Sequence, residues 1–232
     1  MKLIALDSSG LVASAAVLED DLLLAEYTVN YKKTHSQTLL PMLDEISRMI
    51  ELDVETVDAI AIAAGPGSFT GLRIGSATAK GLGLALKKSL IEVPTLAGLA
   101  WNLFGSEALV CPIMDARRKQ VYSGIYRFEG ENLVTVRDQI PLAVEDLISE
   151  IETLPAALTE KGVIFLGDGV EAYKELIEEK MTLPHLYAPA SAGRQRAASV
   201  GALALRLYRE GKAIPAEEHV PIYLRKSQAE QQ

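Results

Sequence analysis

Cysteine is almost absent from this chain. Cys111 is the only one among 232 residues, which excludes a disulfide framework and any cysteine-based metal cage. It sits in the apolar run ALVCPIM, where a buried, inert thiol is expected. Histidine is nearly as scarce. His35, His185 and His219 are too far apart for two of them to share a helix face, so no zinc-binding spacing exists. There is no G-x-S-x-G nucleophile elbow. No apolar stretch reaches the ~18 residues that a membrane span needs, and Asp7 interrupts the opening stretch before it can serve as a signal peptide. Positive charge is in deficit: 23 Lys and Arg against 31 Asp and Glu leave a net charge of −8. An acidic surface grips a nucleic-acid backbone poorly unless the cations are gathered locally. These absences point to a reduced, soluble, cytoplasmic protein.

What is present is globular: 49% hydrophobic and 23% charged residues exclude a disordered chain. The runs 2–7, 11–18 and 22–29, separated by Ser8-Ser9-Gly10 and Glu19-Asp20-Asp21, predict an antiparallel meander of three strands. Thr34 or Ser36 can cap a helix over 36–50, whose apolar stripe is Leu39, Leu43, Ile46 and Ile50. A near-continuous apolar strand follows at 57–64, then GPGSFTG (65–71), a helix over 71–86, a strand over 89–93 and a short helix over 95–104. Strands at 109–114, 120–128 and 133–137, a helix at 144–151, a strand at 163–166 and a helix at 171–179 repeat that order. Two related α/β halves are predicted, 1–104 and 105–232, the second carrying a last helix over 194–209 and a tail over 220–230.

GPGSFTGLRIG (65–75) is the densest signal. A strand, a glycine turn and a helix N-terminus aim backbone N–H groups and the helix dipole at one spot, which suits an anion. A P-loop is excluded, because Leu72 and Arg73 follow Gly71 where Lys and Ser or Thr are required. A dinucleotide site would use Gly65, Gly67 and Gly71 with Glu92 on the next strand, but a meander and a helix precede this strand. Gly71, Gly75, Ala79 and Gly83 recur every four residues, so one helix face is nearly bare. Such a ridge admits a close neighbour, either the chain's own sheet or a helix of a partner chain. Asp7 with Ser8 and Ser9, and Asp168 between Gly167 and Gly169, end strands in corresponding positions of the two halves. Together with Gly65, Gly67 and Ser68 they are candidates for a nucleotide or phosphate cleft. Arg117-Arg118-Lys119 forms one local basic cluster between strands.

GPGSFTGLRIG (65–75), DARRKQVY (115–122), VPIYLRKSQAE (220–230) and the opening LIALDSS (3–9) resemble the bacterial TsaB family in content and order. The resemblance implies the actin/Hsp70/sugar-kinase (ASKHA) fold, two similar lobes with mixed sheets flanked by helices. It implies a non-catalytic partner of a paralogue, TsaD, which transfers a threonylcarbamoyl group to adenosine 37 of tRNAs that read codons beginning with A. A small ATPase, TsaE, joins them, so ATP is used by the complex and no cofactor is expected on this chain; a homodimer is expected when it is alone. The family's pairing helices match 36–50 and 71–86. That places Leu39, Leu43, Ile46, Ile50, Gly71, Arg73, Gly75, Ala79 and Gly83 at the partner interface, where Gly75→Leu or Ala79→Leu would weaken the pair and leave the monomer folded. The paralogue's H-x-x-x-H corresponds to Thr95 and Leu99 here, so a metal would lack its imidazole ligands and no catalytic residue is assigned. The competing expectation is a stand-alone ATP-using kinase or hydrolase with Asp7 and Asp168 flanking its nucleotide.

Overall fold

A computed structural model describes residues 1–31 and 37–225. The elements in chain order are β1 (Lys2–Asp7), β2 (Val12–Glu19), β3 (Leu22–Asn30), α1 (Leu39–Met49), β4 (Ala59–Gly65), α2 (Phe69–Leu86), β5 (Ser89–Pro94) and α3 (Thr95–Ala100). They continue with β6 (Leu109–Asp115), β7 (Gln120–Glu129), β8 (Asn132–Ala143), α4 (Val144–Glu152), α5 (Ala156–Thr159), β9 (Val163–Leu166), α6 (Gly169–Lys180), β10 (His185–Tyr187), α7 (Ala197–Arg209) and β11 (Ala213–Ile214). The candidate caps Thr34 and Ser36, with His35 and the tail beyond residue 225, lie outside the described residues.

The chain divides into two compact units, 1–98 with 195–232, and 99–194. The first holds a six-stranded sheet in the order β11-β5-β4-β1-β2-β3. β1, β2 and β3 pair antiparallel, as the meander requires, while β4 runs parallel to β1 and β5 parallel to β4. β1 and β4 are apolar at nearly every position because both faces of the sheet are covered. On one face Ile4, Leu6, Ile60 and Ile62 pack with Leu39, Met42, Leu43 and Ile46 of α1 and Ala79 of α2. On the other, α7 comes so close that a Cβ on Gly201 would collide with Leu18 and lie 3.2 Å from the Ala5 Cβ.

The second unit holds a five-stranded sheet, β10-β9-β6-β7-β8, antiparallel across β6, β7 and β8 and parallel across β6, β9 and β10. Its apolar residues form a core of their own, Leu109, Cys111, Ile113, Val121, Phe165 and Ile177 among them. Meander, parallel strand, parallel strand is therefore the order in both units. This repetition gives the fold its class: α/β, with two mixed sheets flanked by helices, of the type that the resemblance implied.

Two expectations differ from the structure, and one short strand lies outside them. β8 runs from 132 to 143 rather than stopping at 137, since Arg137, Asp138 and Pro141 are tolerated on an edge strand that a loop would otherwise contain. β10 has three residues, too few for a periodic pattern. The last helix does not belong to the second half. Glu26 of β3 pairs with the Arg196 guanidinium and accepts from the Ala198 N–H (3.0 Å), while Ser14 Oγ accepts from the Ala197 N–H (2.9 Å). A carboxylate and a hydroxyl of the first sheet thus cap α7 and hold it to the first unit.

Candidate functional site

The glycine turn connects β4 to α2, and its geometry is dictated by close neighbours. Gly65 has φ +126°, a backbone conformation that L side chains rarely adopt, and a Cβ there would strike the carbonyl of Ile222. The Ile222 N–H in turn donates to the Ala64 carbonyl at 2.7 Å, so the segment after α7 lies along the end of β4. A Cβ on Gly67 would strike the Ser9 carbonyl, which accepts from the Ser68 N–H at 2.6 Å. Ser68 caps α2 by accepting from the Gly71 N–H at 3.3 Å. Ser8 Oγ donates to the Gly71 carbonyl at 2.9 Å.

The expected cluster of Asp7, Ser8, Ser9, Gly65, Gly67 and Ser68 is thus brought together in the first unit, but its polar groups bond one another. Asp7 Oδ1 accepts from both the Ser9 N–H (2.8 Å) and Ser9 Oγ (2.6 Å), and Asp7, Ser8 and Ser9 are buried. The Gly65 N–H donates to Thr95 Oγ1 at 3.0 Å, and both groups are buried. The turn is a brace that locks β1, β4, α2 and the segment around Ile222 together through the N–H groups of Gly65, Ser68 and Gly71.

Asp168 belongs to the second unit, at the start of α6. Its Oδ1 accepts from the Asp115 N–H at 3.2 Å, and burial holds its carboxyl above the usual range, against the pull of that bond and of Arg194. Asp115 is itself a junction: its Oδ1 accepts from the Arg117 N–H (2.8 Å) and from Tyr173 Oη (3.2 Å). Cys111 is fully buried and its thiol is pushed up to about 12 by desolvation, so the expected inert state holds.

The interface residues expected on α1 and α2 must be corrected. Leu39, Leu43 and Ile46 are buried in the core of the first unit, with Ile50 half-buried against it. Gly71, Gly75, Ala79 and Gly83 are buried too: a Cβ on Gly75 would collide with Ser8 Oγ and stand 3.1 Å from Ile62 Cδ1, and one on Gly83 would meet Leu90 and Ala216. The bare ridge faces the chain's own sheet. Of the expected interface set, only Arg73 is exposed, its guanidinium 4.0 Å above the Phe69 ring, which also stacks on Tyr223. The outward faces instead carry Leu40 and Met49 on α1, and Thr70, Ala77, Gly81 and Leu84 on α2.

One cluster escaped sequence reasoning. Ser76 Oγ lies 2.7 Å from His219 Nε2, and His219 Nδ1 lies 2.5 Å from Glu92 Oε1. Lys80 Nζ donates to the His219 carbonyl at 3.1 Å. A carboxylate oxygen only accepts, so Nδ1 carries the proton, and a neutral ring accepts from the Ser76 hydroxyl at Nε2. The order serine, histidine, acid is that of a hydrolytic triad, but Ser76 is buried in the middle of α2, where the neighbouring N–H groups are taken up by the helix ladder. The cluster is a clamp that fixes the segment after α7 to α2 and β5. Nothing local announces it, since Ser76 and His219 are 143 positions apart.

Residues 23–232 match the model of TsaD, tRNA N6-adenosine threonylcarbamoyltransferase. The chain is 30% identical over 99% of its length to the tRNA threonylcarbamoyladenosine biosynthesis protein TsaB of Bacillus subtilis, covering 96% of that protein, and 28% identical to the Escherichia coli protein of the same name at the same coverage of both chains. YeaZ from Pseudomonas aeruginosa superposes with a TM-score of 0.80 at 27% identity, covering 96% of this chain and 99% of that one. The ethanolamine utilization protein EutJ from Carboxydothermus hydrogenoformans, at 12% identity, 87% of this chain and 89% of its own, and a TM-score of 0.53, shares the fold alone. Sequence and backbone superposition agree over nearly the whole length, and the chain belongs to the TsaB family of tRNA threonylcarbamoyladenosine biosynthesis proteins, within the group that the TsaD model describes.

Proposed function

We propose that this chain is a non-catalytic subunit that docks on the catalytic paralogue TsaD and activates threonylcarbamoylation of adenosine 37 in tRNAs reading codons that begin with A. The observation that carries this reading is the environment of Thr95 and Leu99. These stand where the resemblance puts the paralogue's two metal-binding imidazoles. Thr95 Oγ1 is buried and accepts from the Gly65 N–H, and Leu99 is an apolar residue exposed by 1%. Both side chains brace the fold rather than present a ligand. Docking uses the outward faces of α1 and α2, where Leu40 is 51%, Met49 77% and Leu84 55% exposed beside Arg73. Exposed apolar side chains on two helices of one unit suit a protein partner. TsaE joins the pair and ATP is used by the complex; without the partner, the same faces pair two copies of this chain in a homodimer.

The test is threonylcarbamoyladenosine formation on tRNA by the purified pathway proteins, with this chain present, omitted, or substituted for TsaD. Product only when both this chain and TsaD are present supports the reading; equal product without this chain overturns it. Met49→Glu and Leu84→Glu are expected to weaken association with TsaD at least tenfold and leave the melting temperature of the free chain unchanged.

A further inference from the structure

The hairpin between β6 and β7 turns through Arg117, Arg118 and Lys119, all with left-handed backbones at φ +65°, +54° and +58°. Elsewhere among the described residues positive φ is met singly, and at Gly105, Gly130, Gly162 and Gly211 by the residue that adopts it without strain. Three consecutive side-chain-bearing residues in this region form a left-handed turn that their Cβ atoms oppose. All three are cations and all three are exposed. Glycine or asparagine would make the same turn at less strain, so the turn's stability does not account for the cations. Strain retained at an exposed, charged position marks a site of use.

The turn is also held in place from beneath. The Ala116 N–H donates to the Gln120 carbonyl (2.9 Å), and the Gln120 N–H to the Arg117 carbonyl (3.1 Å). Asp115 accepts from the Arg117 N–H, its Oδ2 lies 3.4 Å from Arg117 Nη1, and Tyr173 Oη donates to Asp115. Glu145 feels the charge of Lys119, but its carboxylate is bonded to Lys180 Nζ at 2.6 Å. Asp115 thus lies directly against Arg117, and the turn gathers three exposed cations in a row on a chain whose net charge is −8.

We propose that the Arg117–Arg118–Lys119 turn is a contact point for the phosphodiester backbone of the RNA substrate. The assignment of RNA rests on the tRNA-modifying reading above; the phosphate chemistry rests on the turn alone. Exposed guanidinium and ammonium groups on a hydrogen-bonded turn suit phosphate oxygens and carry no base specificity.

The experiment is an anisotropy titration of unmodified tRNA with the complex of this chain and TsaD, for wild type and R118G/K119G, at several salt concentrations. Two lost phosphate contacts lower the salt slope by about 2, so the wild type should lose about tenfold more affinity than the variant between roughly 50 and 200 mM salt. Glycine relieves the backbone strain, so the variant's melting temperature should not fall, which separates lost binding from unfolding. K161Q/K212Q removes equal charge; Lys161 precedes β9 at the end of the sheet opposite the hairpin. An unchanged slope in R118G/K119G, or an equal loss in K161Q/K212Q, overturns the proposal. So does ATP binding with the same sensitivity to R118G/K119G, which would assign the turn to a free nucleotide. If the wild-type chain does not associate with TsaD, the subunit reading fails instead, and the same titration on the full chain alone still decides the turn.

Discussion

Asp168 shows how much one side chain's surroundings decide. Burial raises its carboxyl above the unfolded value, so the folded protein holds a proton that the unfolded chain releases. The associated stability is therefore full below the unfolded value and is lost as pH rises through the folded one. Asp168→Asn keeps an acceptor for the Asp115 N–H and removes the buried charge. Thermal melts from about pH 4 to 7 should show the wild type losing stability relative to Asp168→Asn as pH rises; parallel curves would refute this. His219 is the opposite case, a buried ring whose two nitrogens are both engaged. His219→Ala leaves Ser76 and Glu92 without their partner and should cost roughly 1–3 kcal/mol in denaturant unfolding. A loss below about 0.5 kcal/mol would mean that the clamp is incidental. Asp168 was legible in the sequence as a turn aspartate after a strand, because strand, turn and helix are local. The His219 clamp was not, since its three members come from a helix, a strand and a segment far along the chain.

At the scale of the element, α2 separates two kinds of glycine. Gly75 faces inward, where a larger side chain would collide with Ser8 and Ile62; on Gly81 a Cβ would meet open space. Gly75→Leu should destabilise the free chain by several kcal/mol, since overpacking moves the backbone of β1 or α2. Gly81→Ala should stabilise it by roughly 1 kcal/mol. Chemical denaturation of the two variants checks both, and a fully stable Gly75→Leu would restore the outward reading of the ridge. The four-residue repeat of small side chains was visible from the start. Its direction was not, because periodicity says which residues share a face and never what that face meets. The same holds for α1, whose stripe of Leu39, Leu43 and Ile46 proved to be core.

For the whole molecule, α7 is the element whose place sequence order does not reveal. Sequence order assigned it to the second half, yet it covers the first sheet and is capped by Ser14 and Glu26. A chain ending at residue 194 therefore loses cover over Ala5 and Leu18, and the capping groups lose their partners. That fragment should be insoluble or show a much reduced helical and strand signal in circular dichroism, whereas a well-folded fragment would mean that α7 is an accessory. The doubled α/β pattern, the glycine turn and the family are legible in the residue order alone, since each rests on local spacing and on motifs in order. Which helix faces are buried, which unit claims the last helix, that Thr95 braces Gly65 and that three cations share a left-handed turn emerge from the folded chain. Those outcomes depend on contacts between residues distant in the chain and on backbone angles, neither of which a one-dimensional pattern of residue types encodes.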